Sequence, residues 1–236
     1  MRCARACLPL CLLALAGLSA SPARGELIDD FEDGIINPTL WTARGGNYGG
    51  GPGWGSVTEQ GGALMLQCQD TQRYGAGVSC VILRRSIVDM PVYFSFDCTI
   101  YDDTLDGRYV PVVDFRLTGR DTANAPTGLE PPRTYVYQIR HDQRQQTNHV
   151  SGVYYYFVDS AAREARLYNA AGNTLLGTAS WADFGSLPPY IAFDAYADTD
   201  NGTIINTLAL HEIWYEVPEP TALLLFLAGL GLAMRR

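Results

Sequence analysis

Acidic side chains are the most abundant candidates for chemistry in this 236-residue chain, which has 25 aspartates and glutamates. Hydrolysis of a glycosidic bond needs two carboxyl groups that flank the bond. The eight glutamates are scattered, and only Glu212 and Glu216 are spaced to share one face of a strand. Because both stand beside Trp214 near the end of a final strand, this pair is more typical of surface charge. Two aspartates from different strands stay open as an alternative.

Other catalytic patterns are absent from the sequence. The three histidines, His141, His149 and His211, form no His-Glu-x-x-His motif, and neither Cys-x-x-Cys nor Gly-x-Ser-x-Gly occurs. All 17 basic residues are arginines, which excludes a lysine Schiff base, a lysine-anchored pyridoxal cofactor and a P-loop. The sequence therefore predicts a protein that is not an enzyme.

The net charge of the chain argues against nucleic acid as a binding partner. The formal charge is −8 at pH 7, whereas sequence-independent binding of nucleic acid needs a surface of clustered cations. We therefore expect no nucleic-acid partner.

The first 25 residues have the order of a secretory signal peptide. Arg2 and Arg5 precede an apolar stretch at 8–18, and small residues follow at 19–25. This order predicts export through the Sec translocon and a signal peptide over residues 1–25, with cleavage after Ala20, Ala23 or Gly25. A short N-terminal anchor is the alternative.

The last 20 residues combine a proline motif, an apolar stretch and a basic end. Val217, Pro218, Glu219 and Pro220 precede thirteen apolar residues at 222–234, and the chain closes with Arg235 and Arg236. Thirteen helical residues cover about 20 Å, less than the ~30 Å hydrocarbon core of a membrane. Two terminal arginines are the end expected to stay in the cytoplasm.

This segment, 217–236, resembles the PEP-CTERM sorting signal of Gram-negative bacteria that produce exopolysaccharide. The resemblance implies an exosortase-type processing enzyme as partner. It also implies transient anchoring in the inner membrane by a short apolar helix, then release to the cell surface or extracellular matrix. The resemblance implies a localisation and implies no activity. Residues 26–216 then remain, with 12 arginines, 24 acidic residues, a formal charge of −12 and three cysteines.

Residues 26–216 show the pattern of an all-β domain. Short alternating runs are separated by Gly, Pro, Asn and Asp, and no stretch sustains a helical period. In the clearest run, Phe94, Phe96, Cys98 and Ile100 share one face. The pattern predicts a two-sheet antiparallel β-sandwich or jelly roll with strands near 26–31, 54–60, 62–69, 76–84, 91–101, 108–118, 133–140, 149–158, 163–169, 173–180, 190–197 and 203–216.

The order of segments resembles the concanavalin A-like lectin and glucanase jelly roll. The resemblance rests on the acidic start at 27–34, the strands at 61–66, 76–79 and 92–97, and the final strand at 206–216. Glucanases of this family carry a Glu-x-Asp-x-Glu strand, and no such motif occurs here. The resemblance therefore implies the fold and leaves a divergent glycoside hydrolase or lyase as an alternative.

The same resemblance implies a structural calcium ion between the first and last strands. Calcium takes six to eight oxygen ligands, which clustered carboxylates supply. The expected ligands are Asp29 and Asp30 near the start of the domain, with Asp194, Asp198 and Asp200 near its end. Solvated carboxylates and a hairpin turn at 200–202 are the alternative.

Three cysteines of the domain are spaced to meet on neighbouring strands. If the strands holding Cys68, Cys80 and Cys98 form an antiparallel meander, the three side chains lie in one row on the apolar face. An exported protein permits a disulfide, so the spacing predicts at most one bridge, involving Cys80. Three buried free thiols are the alternative.

Aromatic residues are the candidate ligand contacts. A glycine-rich stretch at 44–55 predicts a loop that presents Tyr48 and Trp54. Tyr155 and Trp181 are flanked by polar residues in the sequence. Exposed rings of this kind suit stacking on sugars, although sandwich cores also use them. We therefore expect a secreted, non-enzymatic surface or matrix protein with weak binding of extracellular polysaccharide. A glycoside hydrolase or lyase and a purely structural matrix protein are the alternatives.

Overall fold

The computed structural model describes residues 25–48, 53–72, 76–103, 112–120, 132–140, 147–199 and 201–215. Glu26–Glu216 forms one compact unit. Residues 1–24 of the predicted signal peptide and the sorting motif, with its arginines Arg235 and Arg236, lie outside the described residues. No helix in the described part of the chain is long and apolar enough to cross a membrane.

The described residues form strands and a single 3₁₀ turn at Ala182–Phe184. The strands are β1 Leu27–Asp29, β2 Trp41–Tyr48, β3 Trp54–Glu59, β4 Leu64–Gln72, β5 Ala76–Leu83, β6 Val92–Asp102, β7 Val112–Thr118, β8 Arg133–Arg140, β9 Thr147–Asp159, β10 Glu164–Asn169, β11 Thr174–Ser180, β12 Tyr190–Ala197 and β13 Asn201–Tyr215.

The strands form two antiparallel sheets. The large sheet has the order β11-β10-β9-β6-β13-β4-β3, with β1 added on β13, and the small sheet has the order β2-β5-β12-β7-β8. The chain passes from one sheet to the other between β4 and β5, between β5 and β6, and again between β6 and β7. The predicted two-sheet antiparallel jelly-roll sandwich is confirmed by this pairing.

The core lies between the sheets and follows the alternation of the strands. On β6, Phe94, Phe96, Cys98 and Ile100 are at most 2% exposed, as their shared face predicts. The ring of Phe94 packs against Phe193 of the small sheet, with centroids 4.9 Å apart. Residues that alternate with these core positions therefore point away from the interface, onto the outer face of each sheet.

Glycines let the two sheets approach closely at one side of the sandwich. A Cβ on Gly55 of β3 would lie 1.9 Å from the carbonyl oxygen of Val78 on β5, and one on Gly45 of β2 would lie 2.5 Å from the carbonyl oxygen of Gly55. No larger residue fits such backbone contacts. The stretch 44–55 was expected to be one loop, and this was wrong, because β2 continues to Tyr48 and β3 begins at Trp54.

At the other side, Gly177 of β11 packs against β8. A Cβ there would lie 2.0 Å from the carbonyl oxygen of Val136. The edges of the two sheets are therefore joined by close backbone contact at both sides.

The predicted row of cysteines is wrong. Cys68 on β4 and Cys98 on β6 flank β13 in the large sheet, whereas Cys80 lies on β5 in the small sheet. Two strand spacings separate Cys68 from Cys98, about 9.6 Å, which exceeds the ~7 Å that a disulfide spans between Cα atoms. The three are buried free cysteines. The meander fails because the chain changes sheets on both sides of β5.

Candidate functional site

A charged cluster occupies the outer face of the small sheet. Asp114 on β7 and Asp194 on β12 are direct cross-strand partners, and Arg116 follows Asp114 on the same face. The neighbours Phe115 and Phe193 point into the core, so strand alternation places the three charged side chains on the opposite face. All three are buried, at 4%, 1% and 0% exposure respectively.

The arginine pairs with only one of the two carboxylates. Both Arg116 Nε and Nη2 donate to the Asp194 carboxylate, the latter over 2.9 Å, which is a bidentate ion pair. The Nη2 atom also lies 3.3 Å from the Sγ atom of Cys80. Asp114 instead accepts a hydrogen bond from Gln138 Nε2 over 2.6 Å.

These environments separate the two acids electrostatically. Burial, reinforced by the nearby Asp194 charge, raises the pKa of Asp114 to about 7. The buried ion pair of Asp194 with Arg116 carries no net charge. A protonated Asp114 therefore leaves the cluster neutral. Two neighbouring carboxyl groups in unequal environments are also the arrangement of an acid and its ionised partner in glycosidases.

A second feature covers the outer face of the large sheet. Trp214 of β13 pairs with Tyr93 of β6, Tyr93 with Tyr155 of β9, and Tyr155 with Tyr168 of β10. We call this row of four half-buried rings the aromatic stripe. Of these four rings only Tyr155 was predicted from the sequence as a ligand contact, because the row depends on the register of four strands.

The rings of the aromatic stripe overlap one another. Successive ring centroids lie 5.9 Å apart for Trp214 and Tyr93, 4.9 Å for Tyr93 and Tyr155, and 4.8 Å for Tyr155 and Tyr168. The Trp214 and Tyr93 rings and the Tyr155 and Tyr168 rings are nearly parallel, at 10° and 11°, and are stacked with an offset, whereas Tyr93 and Tyr155 are tilted by 31°. The stripe therefore presents ring edges, parts of ring faces and phenol groups to solvent.

Apolar residues extend the aromatic stripe at both ends. Leu27 of β1 pairs with Trp214, and Leu175 of β11 pairs with Tyr168. These leucines are 52% and 50% exposed. The whole row crosses six strands, which is about 24 Å at ~4.8 Å per strand spacing. The result is a narrow, partly apolar surface.

The other predicted aromatic contacts do not join the aromatic stripe. Trp181 is only 7% exposed, and Arg163 lies over its ring with 4.6 Å between the Cζ atom and the centroid, so its expected exposure was wrong. Trp54 is 44% exposed but lies on the edge strand β3. Tyr48 ends β2 in the small sheet, so Tyr48 and Trp54 do not share one loop.

The predicted calcium ligands do not converge. Asp29 lies in the large sheet, where its carboxylate accepts hydrogen bonds from the Phe31 amide and Trp41 Nε1. Asp194 lies in the small sheet and is bound by Arg116, so these two aspartates do not form one ligand set.

The remaining expected calcium ligands do not form a metal site among the described residues. Asp198 accepts a hydrogen bond from the Tyr196 hydroxyl over 2.9 Å, Asp30 is exposed, and Asp200 lies outside the described residues. No group of three or more His, Cys, Asp or Glu side chains within the described ranges is arranged to hold a metal ion. Calcium binding stays a prediction, with no site formed by the described residues.

No protein-family profile and no curated protein matches the chain. Solved structures with a related arrangement of strands include a β-1,3-1,4-glucanase (lichenase) from a mouse hindgut metagenome, with 11% identity and a TM-score of 0.45 over 80% of this chain and 97% of that one. Lectin II from Ulex europaeus has 11% identity and a TM-score of 0.42 over 78% and 97%. The Emp46p carbohydrate recognition domain has 8% identity and a TM-score of 0.44 over 80% and 96%. Similarity this low gives no information on a ligand or an activity of this chain.

Proposed function

We propose that the domain is a non-enzymatic carbohydrate-binding module that contacts extracellular polysaccharide through the aromatic stripe. The observation that carries the proposal is the row of four cross-strand rings at half-buried positions of the outer face. The C–H groups of a sugar ring carry small positive charge and are attracted to the negative face of an aromatic ring. A row of such rings offers several contacts to one extended chain.

Hydrogen-bonding groups beside the rings support the same ligand class. The Tyr155 hydroxyl donates to Asn173 Oδ1 over 2.5 Å, which places an amide and a phenol together at the row. Ser95 and Glu212 form the next cross-strand pair on the same face of β6 and β13. Polysaccharides present apolar C–H patches and hydroxyl groups together, so a surface that mixes rings with polar groups suits them.

The test is binding of the full chain to a panel of soluble polysaccharides by affinity gel electrophoresis. We expect a Tyr155→Ala and Tyr168→Ala double variant to bind at least tenfold more weakly, about 1.4 kcal/mol. Tyr135→Ala is the matched control, because Tyr135 is 41% exposed on β8 of the other sheet. Retention of no polysaccharide would leave the structural matrix protein as the function.

We further propose that the chain is exported and sorted by an exosortase-type enzyme. The support is the sequence motif at 217–220 with its apolar stretch and terminal arginines. Replacement of Pro218 and Pro220 by alanine should leave the chain uncleaved in the inner membrane. Normal release of that variant would contradict the proposal.

Hydrolysis is the second candidate function, and the Asp114 and Asp194 pair is the observation that favours it. Asp114 and Asp194 lie opposite each other on neighbouring strands, and Asp114 accepts its hydrogen bond from a neutral amide, that of Gln138. Against it, both are under 5% exposed, and Asp194 is bound by Arg116. Product analysis on the same polysaccharide samples decides between the two, because a hydrolase releases oligosaccharides that disappear in the Asp114→Asn variant.

A further inference from the structure

Three acidic side chains near the aromatic stripe contact a basic side chain. Glu164 pairs with Arg166 over 2.6 Å, and Glu26 pairs with Arg85 over 3.3 Å. Asp97 contacts His211 Nε2 over 2.8 Å. These three acids therefore have a basic partner within the described part of the chain.

Glu212 differs from these three acids. It is exposed, and among the described residues it forms no ion pair. It lies two positions before Trp214 on β13, so both side chains project from the same face of the sheet, about 7 Å apart along the strand. A chain bound along the aromatic stripe would pass this carboxylate.

We infer that the aromatic stripe takes an extended, uncharged polysaccharide and that Glu212 excludes polyanionic chains; this rests on the proposed function. A carboxylate on the ligand that approaches Glu212 to about 7 Å is repelled, which weakens binding about threefold even at the dielectric constant of water. Several carboxylates along one polymer multiply the effect. The formal charge of −12 over residues 26–216 acts in the same direction at longer range. A neutral polymer meets no such repulsion and finds in Glu212 an acceptor for its hydroxyl groups.

The inference is tested with polymers that differ only in charge. The full chain is run through native gels that contain hydroxyethyl cellulose or carboxymethyl cellulose, and through a second pair made from a neutral and a carboxymethylated β-1,3-glucan. Wild type, Glu212→Gln and Glu212→Arg are compared at low salt. Asp183→Arg is the matched control, because it changes the net charge as much as Glu212→Arg but lies in the exposed 3₁₀ turn outside the aromatic stripe.

We expect wild type to bind the neutral polymers at least tenfold more tightly than their carboxymethylated forms. Glu212→Arg should reduce that ratio to about threefold or less, Glu212→Gln should reduce it partly, and Asp183→Arg should leave it unchanged. Equal binding of neutral and anionic polymers by wild type would overturn the inference and leave the proposed function intact. An equal effect of Asp183→Arg would also overturn it, since long-range charge would then explain the selectivity. Retention of no polymer by wild type would overturn both.

Discussion

Asp114 and Asp194 occupy directly opposite positions on β7 and β12, and of these two carboxylates the guanidinium of Arg116 binds only that of Asp194. One acid of the pair is therefore compensated by a cation, while the other is buried with a neutral amide partner, Gln138. Burial without a cation favours the protonated carboxyl group. The protonation of Asp114 thus becomes a term in the stability of the fold.

The first prediction concerns the pH dependence of stability. The pKa of Asp114 is about 7 in the folded chain and close to 3.8 when unfolded. Between these values the folded state binds a proton that the unfolded state does not, so the contribution of Asp114 to stability falls as pH rises from about 4 to 7. Asp114→Asn should therefore gain stability relative to wild type across this window, by a few kcal/mol at about 1.4 kcal/mol per pKa unit.

The measurement is urea unfolding of both chains at several pH values between 3.5 and 8 (roughly the window that the linkage relation identifies). The other groups that face Asp114 are Asp194, Arg116 and Arg140, all unchanged in the variant. A difference between variant and wild type that stays constant with pH would show that the pKa of Asp114 is the same in the folded and unfolded states.

The second prediction concerns the ion pair itself. Arg116→Met leaves the Asp194 carboxylate buried without its cation, which should lower the free energy of unfolding by about 3–5 kcal/mol. The double variant Arg116→Met with Asp194→Leu removes both charges and should recover most of that loss. Thermal melts of the two variants show which of them is the more stable. A double variant no more stable than the single one would contradict the prediction, because an unpaired buried carboxylate would then not be the cause of the loss.

The sequence was informative wherever burial follows strand alternation, and uninformative where it depends on sheet membership. The alternation on β6 identified the buried face of Phe94 and Cys98 correctly. The cysteine row failed because periodicity does not tell whether consecutive strands stay in one sheet. The same gap hid the Asp114 and Asp194 pair, since β7 and β12 are distant in the chain but adjacent in the small sheet.

The third prediction separates two glycines that are neighbours on β2. A Cβ at Gly45 would meet the backbone of β3 at 2.5 Å, whereas a Cβ at Gly46 has nothing within 4 Å. Gly45→Ala should therefore force the sheets apart and lower the melting temperature by several degrees, since each kcal/mol amounts to about 2–4 °C in a domain of this size. Gly46→Ala is the control and should melt near wild type. Equal melting temperatures for the two variants would show that β2 and β3 are not in close contact.

The last prediction concerns the three buried thiols of the domain. Burial raises the pKa of Cys98 to about 12 and also raises that of Cys68 and Cys80, so at neutral pH none is a thiolate. Iodoacetamide should therefore leave all three unmodified in the folded chain and alkylate all three in urea. Peptide mass mapping without reductant reads each cysteine separately, which keeps them distinct from Cys3, Cys7 and Cys11. A disulfide between Cys80 and either of the others would contradict the sheet assignment of β5. Cys80 lies on the outer face of the small sheet, whereas Cys68 and Cys98 lie on the face of the large sheet that forms the core.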